Sequence, residues 1–462
     1  MKAGTATTSN LHIGDLRLDA SYHASSGRQA LLAIKKSGLR TDRLDHVCLP
    51  NGIFIPGRFR RVYVDDPEHG VRWLSPSDMQ KADLSDLGYV SRKYTPDLDI
   101  LRIHKEWILL SRSGTIGNLV YVRSDMDGLI GSDDIIRIVP NPQEILPGYL
   151  YAVVSSPVMV EIIKQKTYGA VIPHIESHHV VDLPIPRLEP AQEERIHHLI
   201  EQAAELRVEA NQRLRQAQDR FYRQVLGLDP DQVHWQCRNE HAYAIGLVQF
   251  SHSHHRLDGF HHVGFVSEAE QYLGKTVKMG ELVTPYQPPL FKRPYTDGNG
   301  IPFLSGIDLY DYYPKPHMYI SRKMERLDLY IVRKGTILVQ NVGQRYGLFG
   351  HPTILPKHLD QCSVTQHLMR VYTKNELDRG YIFIWLSSEV GRKLLLKQSF
   401  GTSMGVLFER SFNDMVIPDC STELRHSFES DMQVICNARE RANDLEDQAQ
   451  TSLNQALGFI EG

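Results

Sequence analysis

Cationic, amide and aromatic side chains gather in a few loop segments, where their chemistry suits hydrogen bonding to phosphates and base edges. Arginine and lysine donate to phosphate oxygens, and arginine, lysine, asparagine or glutamine can read the edges of bases. The candidates in the first half of the chain are Arg58, Arg60, Arg61, Arg92, Lys93, Tyr94, Lys164, Gln165, Lys166 and Tyr168. The candidates in the second half are Lys292, Arg293, Arg322, Lys323, Arg345, Tyr346, Lys397, Gln398 and Ser399.

Any one of these cations is more commonly a solvated surface residue, but two of the sets recur at matched positions. YVSRK at Tyr89 to Lys93 is repeated as YISRK at Tyr319 to Lys323, and the KQK segment corresponds to KQS. Because Arg92-Lys93 and Arg322-Lys323 are common to both copies, we expect them to contact phosphate rather than to distinguish bases.

Histidines are the other residues that could do chemistry. Cys237, His241, His252, His254, His255, His261 and His262 could in principle bind a metal, but their spacings fit no common zinc arrangement. We therefore predict loop histidines and no metal or cofactor. The sequence also lacks GxGxxG, GxxxxGK[ST] and HExxH, and it has neither the motifs of an adenine methyltransferase nor a nuclease carboxylate cluster. A non-catalytic chain is predicted.

The segments that surround these residues are repeated in the two halves of the chain. The segment RLDASYH, which begins at Arg17, matches RLDGFHH, which begins at Arg256. Likewise GYLYAVVSS, from Gly148, matches GYIFIWLSS, from Gly380. Further pairs follow in the same order with nearly the same offset, so one register runs through both halves. The offset is about half the chain, which is typical of a duplicated domain rather than a solenoid, whose repeats span about 20 to 50 residues.

Each copy closes with a long amphipathic helix whose apolar residues recur in steps of three and four. The first seam is Ile196, Leu199, Ala203, Leu206, Ala210, Leu214, Ala217, Phe221 and Val225. The second is Phe428, Met432, Ile435, Ala438, Ala442, Leu445, Ala449, Leu453 and Ala456. We expect the two helices to pair in antiparallel fashion as a rigid bar about 54 Å long, at 1.5 Å per residue. The two copies would then be related by an approximate two-fold axis, with a domain at either end.

The segments before the helices predict two α/β (α+β) domains. The runs at 58–64, 106–117 and 336–347 combine β-branched and aromatic residues with glycine turns, which is typical of strands. Residues 149–166 and 381–398 predict a buried helical pair, broken near Ser156 and Ser388. The predicted division is domain 1 at 1–186, a central helix at 187–231, domain 2 at 232–418 and a C-terminal helix at 419–462.

Composition argues against a disulfide-bonded protein of an oxidising compartment and against a membrane-spanning protein. The 462 residues include 23% charged and 41% hydrophobic residues, in the ordinary range of soluble proteins. The five scattered cysteines favour a reducing cytoplasm, and no apolar run has the roughly 20 residues that span a bilayer. The net charge of −3 is divided as 0, −2, +5 and −6 over the four segments, which places the excess cations in the domains rather than in the helices.

These motifs together resemble the specificity subunit of a type I restriction–modification system. The resemblance covers nearly the full length and is carried by the paired RLDASYH and RLDGFHH, the strand and glycine turn at 109–117 and 338–343, and the LPIP exit at 183–186. It implies two target-recognition domains that read a split DNA site, one half each. It also implies double-stranded DNA, two methyltransferase subunits and, through them, restriction subunits as partners.

Two departures from the family pattern concern the second copy. Its exit reads MVIPDC at 415–420 without the double proline, and its glycine turn is shifted by one residue. Partner contacts at the second helix are therefore less well supported than those at the first.

Two other functions remain open at this stage. The chain could serve a methyltransferase of a phage-defence system that has no restriction motor, or it could be a duplicated coiled-coil scaffold that binds proteins and ignores DNA. A metalloenzyme that uses the histidines would require stoichiometric metal in the purified protein.

Overall fold

The computed structural model describes residues 25–64, 67–95, 97–113, 116–167, 174–233, 259–262, 270–344, 347–401 and 404–458. The opening repeat at Arg17 lies outside the described residues, and so does its counterpart at Arg256 apart from Gly259–His262. The chain folds as two compact units, and each is described by itself. Unit 1 joins Met1–Val208 to Arg441–Gly462, and unit 2 is Glu209–Glu440.

The first domain, at the start of unit 1, contains two sheets of four strands. The central sheet has the order β2-β9-β6-β7, and its neighbours are all antiparallel. The outer sheet has the order β3-β5-β4-β8, in which β4 and β8 are parallel. The strands are β1 Thr41–Arg43, β2 Cys48–Phe54, β3 Tyr63–Val64, β4 Gly70–Leu74, β5 Tyr89–Ser91, β6 Ile108–Ser111, β7 Leu119–Tyr121, β8 Ile130–Gly131, β9 Ile135–Pro140 and β10 Pro184–Pro186.

The second domain repeats this plan in unit 2. Its central sheet is β12-β21-β17-β19, and its outer sheet is β13-β15-β14-β20-β16 with β14 and β20 parallel. The strands are β11 Thr276–Lys278, β12 Val283–Tyr286, β13 Tyr295–Thr296, β14 Ile301–Leu304, β15 Met318–Ile320, β16 Ile331–Val332, β17 Ile337–Gln340, β18 Val342–Gly343, β19 Pro352–Ile354, β20 Cys362–Val364, β21 Leu368–Thr373, β22 Gly405–Val406 and β23 Val416–Pro418. The mixed α/β class and the duplication are thereby confirmed.

Ten helices accompany these strands in the described parts of the chain. They are α1 Ser26–Lys36, α2 Leu98–Leu101, α3 Pro147–Ser155, α4 Pro157–Gln165, α5 Pro190–Phe221, α6 Met279–Leu282, α7 Arg379–Ser387, α8 Glu389–Lys397, α9 Glu409–Asp414 and α10 Thr422–Ala456. A π-helical turn at Tyr222–Leu226 follows α5 and ends at Gly227, whose φ is +66°. Among the residues described, no helix is both long enough and apolar enough to cross a membrane.

The predicted helical pair with a central break is confirmed in both domains. The side chain of Ser156 accepts a hydrogen bond from the Met159 backbone N–H at 3.3 Å, and Ser388 does the same for Gly391 at 3.0 Å. A serine at this position caps the new helix, because its oxygen satisfies an N–H that has no partner in the first turn. The preceding helix therefore stops and α4 or α8 begins in a new direction.

The run at 58–64 forms less strand than the sequence predicts. Only Tyr63–Val64 pairs, with β5 in register Tyr63 to Val90. The side chain of Phe59 packs on the buried cluster of the outer sheet, and Arg61 turns inward to Asp133. Residues 58–62 therefore enter the sheet as a loop, positioned by these two side-chain contacts, rather than as a strand.

The predicted seams of the two long helices are buried along most of their length, whereas Val225 and Ala456, at their ends, are half-buried. In α5, Ile196, Ala203, Ala210, Leu214, Ala217 and Phe221 are at most 3% exposed, whereas Leu199 and Leu206 are half-buried. In α10, Phe428, Met432, Ile435, Ala438, Ala442, Leu445, Ala449 and Leu453 are at most 8% exposed. The period of the apolar residues therefore identified the packed face correctly.

In each unit the two helical segments run antiparallel. Unit 1 contains the contact of Arg207 Nη2 with Asn443 Oδ1 at 3.1 Å, and unit 2 contains that of Arg439 Nη2 with Asn211 Oδ1 at 3.2 Å. Arg439 corresponds to Arg207 and Asn443 to Asn211 in the register of the duplication, so the same polar pair is made twice with the helices exchanging roles. Arg207 and Asn443 are 6% and 5% exposed, which makes their hydrogen bond part of the packed interface.

Each domain is completed by the end of the helix that follows the other domain. In unit 1, Ala449 and Leu453 of α10, and Leu457 directly after it, belong to the same buried cluster as Tyr149 and Ile196. Gln450 Nε2 donates to the Ala152 carbonyl at 3.0 Å and to Ser155 Oγ at 3.2 Å. In unit 2, the corresponding Gln218 Nε2 donates to the carbonyl and to the Oγ of Ser387, both at 3.1 Å.

The compact units therefore do not follow the predicted four-part division, because each unit contains part of both long helices. The boundaries at 186, 231 and 418 remain predictions.

A salt bridge at the entry to each long helix is conserved in position but reversed in sign. In unit 1, Arg187 Nε lies 2.9 Å from Glu193 Oε1. In unit 2 the corresponding residues are Asp419 and Arg425, with Arg425 Nη2 at 2.9 Å from Asp419 Oδ1. The geometry of the exit is therefore kept while the charges are exchanged.

We expect Leu453→Ala to destabilise unit 1 although Leu453 lies almost at the far end of the chain. The side chain is fully buried in the core of the first domain, and loss of a buried leucine costs about 2–5 kcal/mol. Hydrogen exchange should increase in α3 and α4 and remain unchanged in α7 and α8. Thr451→Ala, an exposed position in the same helix, is the control; equal effects of the two variants, or an effect on α7 instead, would contradict the shared core.

Candidate nucleic-acid interface

The edge of the outer sheet in the first domain brings exposed aromatic and basic residues together. Tyr63 of the edge strand β3 is 65% exposed, and β3 pairs with β5, which runs directly into the turn of Arg92, Lys93 and Tyr94. All three turn residues are exposed, and the Lys93 ammonium lies 5.4 Å from the centre of the Tyr94 ring. We call Tyr63, Arg92, Lys93 and Tyr94 the first outer edge.

The second domain presents the same combination at the corresponding edge. Tyr295 in β13 is 53% exposed, and β13 pairs with β15, which leads to the exposed Arg322 and Lys323. Arg322 Nε donates to the Asn299 carbonyl at 3.3 Å, which fixes the direction of its side chain. We call Tyr295, Arg322 and Lys323 the second outer edge.

Sequence reasoning missed Tyr63 and Tyr295. Each stands two positions after a candidate arginine, Arg61 or Arg293, and the two tyrosines are in step with the duplication. That shared position was the sequence signal that could have identified the two tyrosines. An exposed tyrosine beside cations can stack on a base or support an arginine that does.

The loop that enters each outer sheet has both exposed and engaged cations. Arg58, Arg60 and Lys292 are exposed. Arg61 instead lies against the Trp73 ring at 4.8 Å and hydrogen-bonds to Asp133 and, at 3.2 Å, to Asp134. Burial disfavours the charge of Arg61, but these hydrogen bonds outweigh it and the pKa of the guanidinium is raised. Arg293 lies over the Phe303 ring at 5.1 Å.

The candidates at the ends of α4 and α8 point mostly toward protein. Lys164 is exposed, but Lys166 Nζ lies 2.6 Å from Asp182. Lys397 is 6% exposed and pairs with Glu270 at 2.9 Å, and Ser399 is fully buried. Gln165 and Gln398 are half-buried, and Gln398 caps the end of α8. DNA contact by these residues remains a prediction, and the exposed outer edges offer a more accessible surface.

Some sequence candidates lie outside the described residues. These are Tyr168, Arg345 and Tyr346, together with Cys237, His241, His252, His254 and His255 of the histidine cluster. Of the remaining histidines, His261 is buried and its Nδ1 lies 3.1 Å from the Lys397 carbonyl.

His197, His198 and Glu201 on α5 form a group whose ligand atoms lie within 4.8 Å of one another. Its hydrogen bonds do not suit a metal. The Gly148 backbone N–H, which can only donate, lies 3.1 Å from His197 Nδ1. The neutral ring therefore carries its proton on Nε2, 3.2 Å from Glu201 Oε2, and has no lone pair there for an ion.

Solved structures similar to this chain match over nearly its whole length. The crystal structure of the HsdS subunit from Thermoanaerobacter tengcongensis is 17% identical, covers 92% of this chain and 97% of that chain, and has a TM-score of 0.29. The type I restriction–modification S subunit from M. genitalium is 13% identical, covers 90% and 94%, and has a TM-score of 0.35. A chain from a study of assembly and conformational transition of a type I R-M system is 17% identical, covers 91% and 98%, and has a TM-score of 0.28.

These matches are to the class of protein that the sequence motifs resemble. At such identities and TM-scores, however, no residue role is transferred from them. No family model and no curated protein matches the chain.

Replacing Arg322 and Lys323 together by alanine should weaken binding to any duplex and reduce its salt dependence. Each lost phosphate contact lowers the slope of log affinity against log salt by about 0.9, because one fewer counterion is released. Fluorescence anisotropy over about 50 to 200 mM salt measures the slope. Arg410→Ala removes a 90% exposed cation paired with Asp414 and serves as the control. If Arg410→Ala has the larger effect, the second outer edge is not the contact surface.

The stability of unit 1 should decrease as the pH falls below about 6.5, the ordinary pKa of histidine. Burial is the largest effect and lowers the pKa of His197 in the folded protein, and His198 lowers it further. Glu201, Glu106 and Glu194 act in the opposite direction. The unfolded chain then binds more protons than the folded one, so this contribution is complete above about 6.5 and is lost as the pH falls through the folded pKa.

Thermal unfolding of His197→Gln, which keeps an acceptor for Gly148, should show a weaker pH dependence between about pH 5 and 7. His198→Gln, at the exposed neighbour, is the matched control and should change the pH dependence less, because His198 adds only a smaller lowering to that caused by burial. Identical pH profiles for both variants would assign the effect to other groups.

Proposed function

We propose that this chain is the non-catalytic DNA-recognition subunit of a type I restriction–modification complex, with each domain reading one half of a bipartite site. The observation that carries the proposal is the repetition of an exposed edge with tyrosine, arginine and lysine at corresponding positions of both outer sheets. Cations on an exposed edge suit phosphate, and aromatic rings beside them suit bases.

The division of charge supports the same function. The predicted segments 1–186 and 232–418 carry net charges of 0 and +5, whereas 187–231 and 419–462 carry −2 and −6. An acidic helix pair is repelled by phosphate, so the duplex would be held by the domains. The helices are then available to partner proteins, for which two adenine methyltransferase subunits, and through them restriction subunits, are the proposed occupants.

The differences between the copies support two different half-sites. The scaffold strands correspond closely, but the loop between β12 and β13, at 287–294, has three prolines, whereas its counterpart between β2 and β3, at 55–62, has one. Loops on a conserved scaffold are where recognition is changed at the least cost to folding. One asymmetric recognition sequence with an unread spacer is expected.

The proposal is tested by sequencing modified adenines in a host that carries this protein with its methyltransferase. One split motif should be found. Exchanging residues 1–186 for those of a relative should change one half of the motif only, because one domain reads one half-site. Exchanging 232–418 is the reciprocal control and should change the other half.

A change in both halves after either exchange would contradict the division between the domains. Footprinting of the protein with its methyltransferase separates a reader from a scaffold. Two protected tracts that flank an unprotected spacer are expected, and no protection would overturn the proposal.

A further inference from the structure

Corresponding arginines of the two domains, Arg61 and Arg293, lie in cradles of opposite charge. The correspondence is fixed by backbone hydrogen bonds. Ser132 N–H donates to the Leu74 carbonyl at 3.0 Å, and Thr365 N–H donates to the Leu304 carbonyl at 3.2 Å. Arg112 N–H donates to the Asp134 carbonyl at 3.1 Å, and Asn341 N–H to that of His367 at 3.0 Å. Asp133 and Asp134 therefore correspond to Gln366 and His367.

In the first domain the arginine is neutralised. Arg61 contacts Asp133 and Asp134, and Asp134 Oδ1 also lies 3.7 Å from Arg112 Nη1. Arg112 pairs in turn with Glu176. The ion pairs named here, all between described residues, join two cations and three carboxylates, and Asp133 and Arg112 have side chains only 8% exposed. An added anion would be repelled there.

In the second domain the partners of the arginine are neutral. Arg293 Nη2 donates to Thr365 Oγ1 at 3.3 Å and to Gln366 Oε1 at 3.0 Å. Burial, and then the nearby Arg293, lower the pKa of His367, so its imidazole is uncharged at neutral pH. Arg112 and Glu176 are replaced by Asn341 and Phe408. Within the described residues no carboxylate lies within 4.0 Å of the Arg293 guanidinium.

The Arg293 side chain is also reachable. It lines a cavity of 570 Å³ together with Phe303, Met318, Gln340, Phe349 and His367. The guanidinium lies 5.1 Å from the Phe303 ring centre and is held by its two neutral acceptors, so its orientation is set before a ligand arrives. Apolar walls strengthen the attraction between this charge and an anion.

We propose that the Arg293 cavity is a phosphate-binding subsite of the second domain, which takes one phosphodiester of the DNA backbone, and that the Arg61 network is closed to anions. The inference rests on the proposed function. It adds that the two domains, although they share one fold, contact the duplex unequally. Arg293 of the second domain binds a phosphate, whereas the corresponding Arg61 of the first domain is paired with carboxylates and does not.

The test exchanges the acid between the two cradles in the full-length protein. Gln366→Glu gives Arg293 the carboxylate that Arg61 has at Asp133, with almost no change in size. Affinity for a mixed-sequence duplex should fall about 10-fold at low salt, and the salt slope should decrease by about 0.9, the value for one phosphate contact. A mixed-sequence duplex suffices because phosphate contacts do not depend on sequence.

In the first domain the opposite change of charge is made by Asp134→Asn, at the position that corresponds to His367, which removes one carboxylate from the Arg61 network and leaves its closest ion pair with Asp133 in place. This variant should bind no more weakly than the unmodified protein. Gln366→Asn, which shortens the acceptor without adding charge, is the matched control for Gln366→Glu and should keep the salt slope. Thermal unfolding of each variant checks that the domain carrying the substitution remains folded.

The outcomes are distinct. If the unmodified chain binds no duplex, the proposed function fails. If it binds, and Gln366→Glu leaves both affinity and salt slope unchanged, or Gln366→Asn lowers the slope equally, the Arg293 subsite is overturned while the proposed function stands. Competition by free inorganic phosphate alone, with no change in the slope for DNA, would identify a small-anion site and also overturn the subsite.

Discussion

The two long helices pack antiparallel within each unit, and each domain needs that packing for a complete core. Neither domain has a complete core from its own segment of chain, because Leu453 and its neighbours close the first domain and Phe221 packs against Tyr381, Trp385 and Phe428 in the second. Apolar burial between residues so distant in sequence couples the stability of each domain to the helix of the other copy. A variant in one helix end is therefore a variant of the opposite domain.

Duplication has kept the scaffold and changed the charges placed on it. Buried arginines at Arg137 and Arg370 each donate to backbone carbonyls next to the parallel strand pair of an outer sheet, as in Arg137 Nη2 to Gly131 at 2.7 Å. Burial lowers the pKa of each to about 10. By contrast, the Arg187–Glu193 pair is reversed as Asp419–Arg425, and the acid around Arg61 is lost around Arg293. Packing tolerates few alternatives, whereas a surface charge can change sign and alter what the domain binds.

Part of the candidate site was predictable, and the rest required the partners of each side chain. The SRK turns were identified because they recur in both copies, and the structure has them exposed beside β3 and β13. From the sequence alone, Arg61 and Lys397 are as good candidates for DNA contact as the SRK turns. The fold pairs them with Asp133 and Glu270, which lie far from them along the chain. Ion pairs over such separations leave no local pattern in the sequence.

The sequence alone predicted the duplication, the mixed α/β class and the faces of the long helices, because apolar periods of three and four residues and matched segments can be seen in the chain itself. It also determined the breaks at Ser156 and Ser388, where a serine caps a new helix. The folded structure was needed to show which helix end completes which domain, and which of two corresponding arginines has a carboxylate partner among the described residues. Those outcomes depend on side chains that folding brings together from distant positions, and on the burial that gives their charges weight.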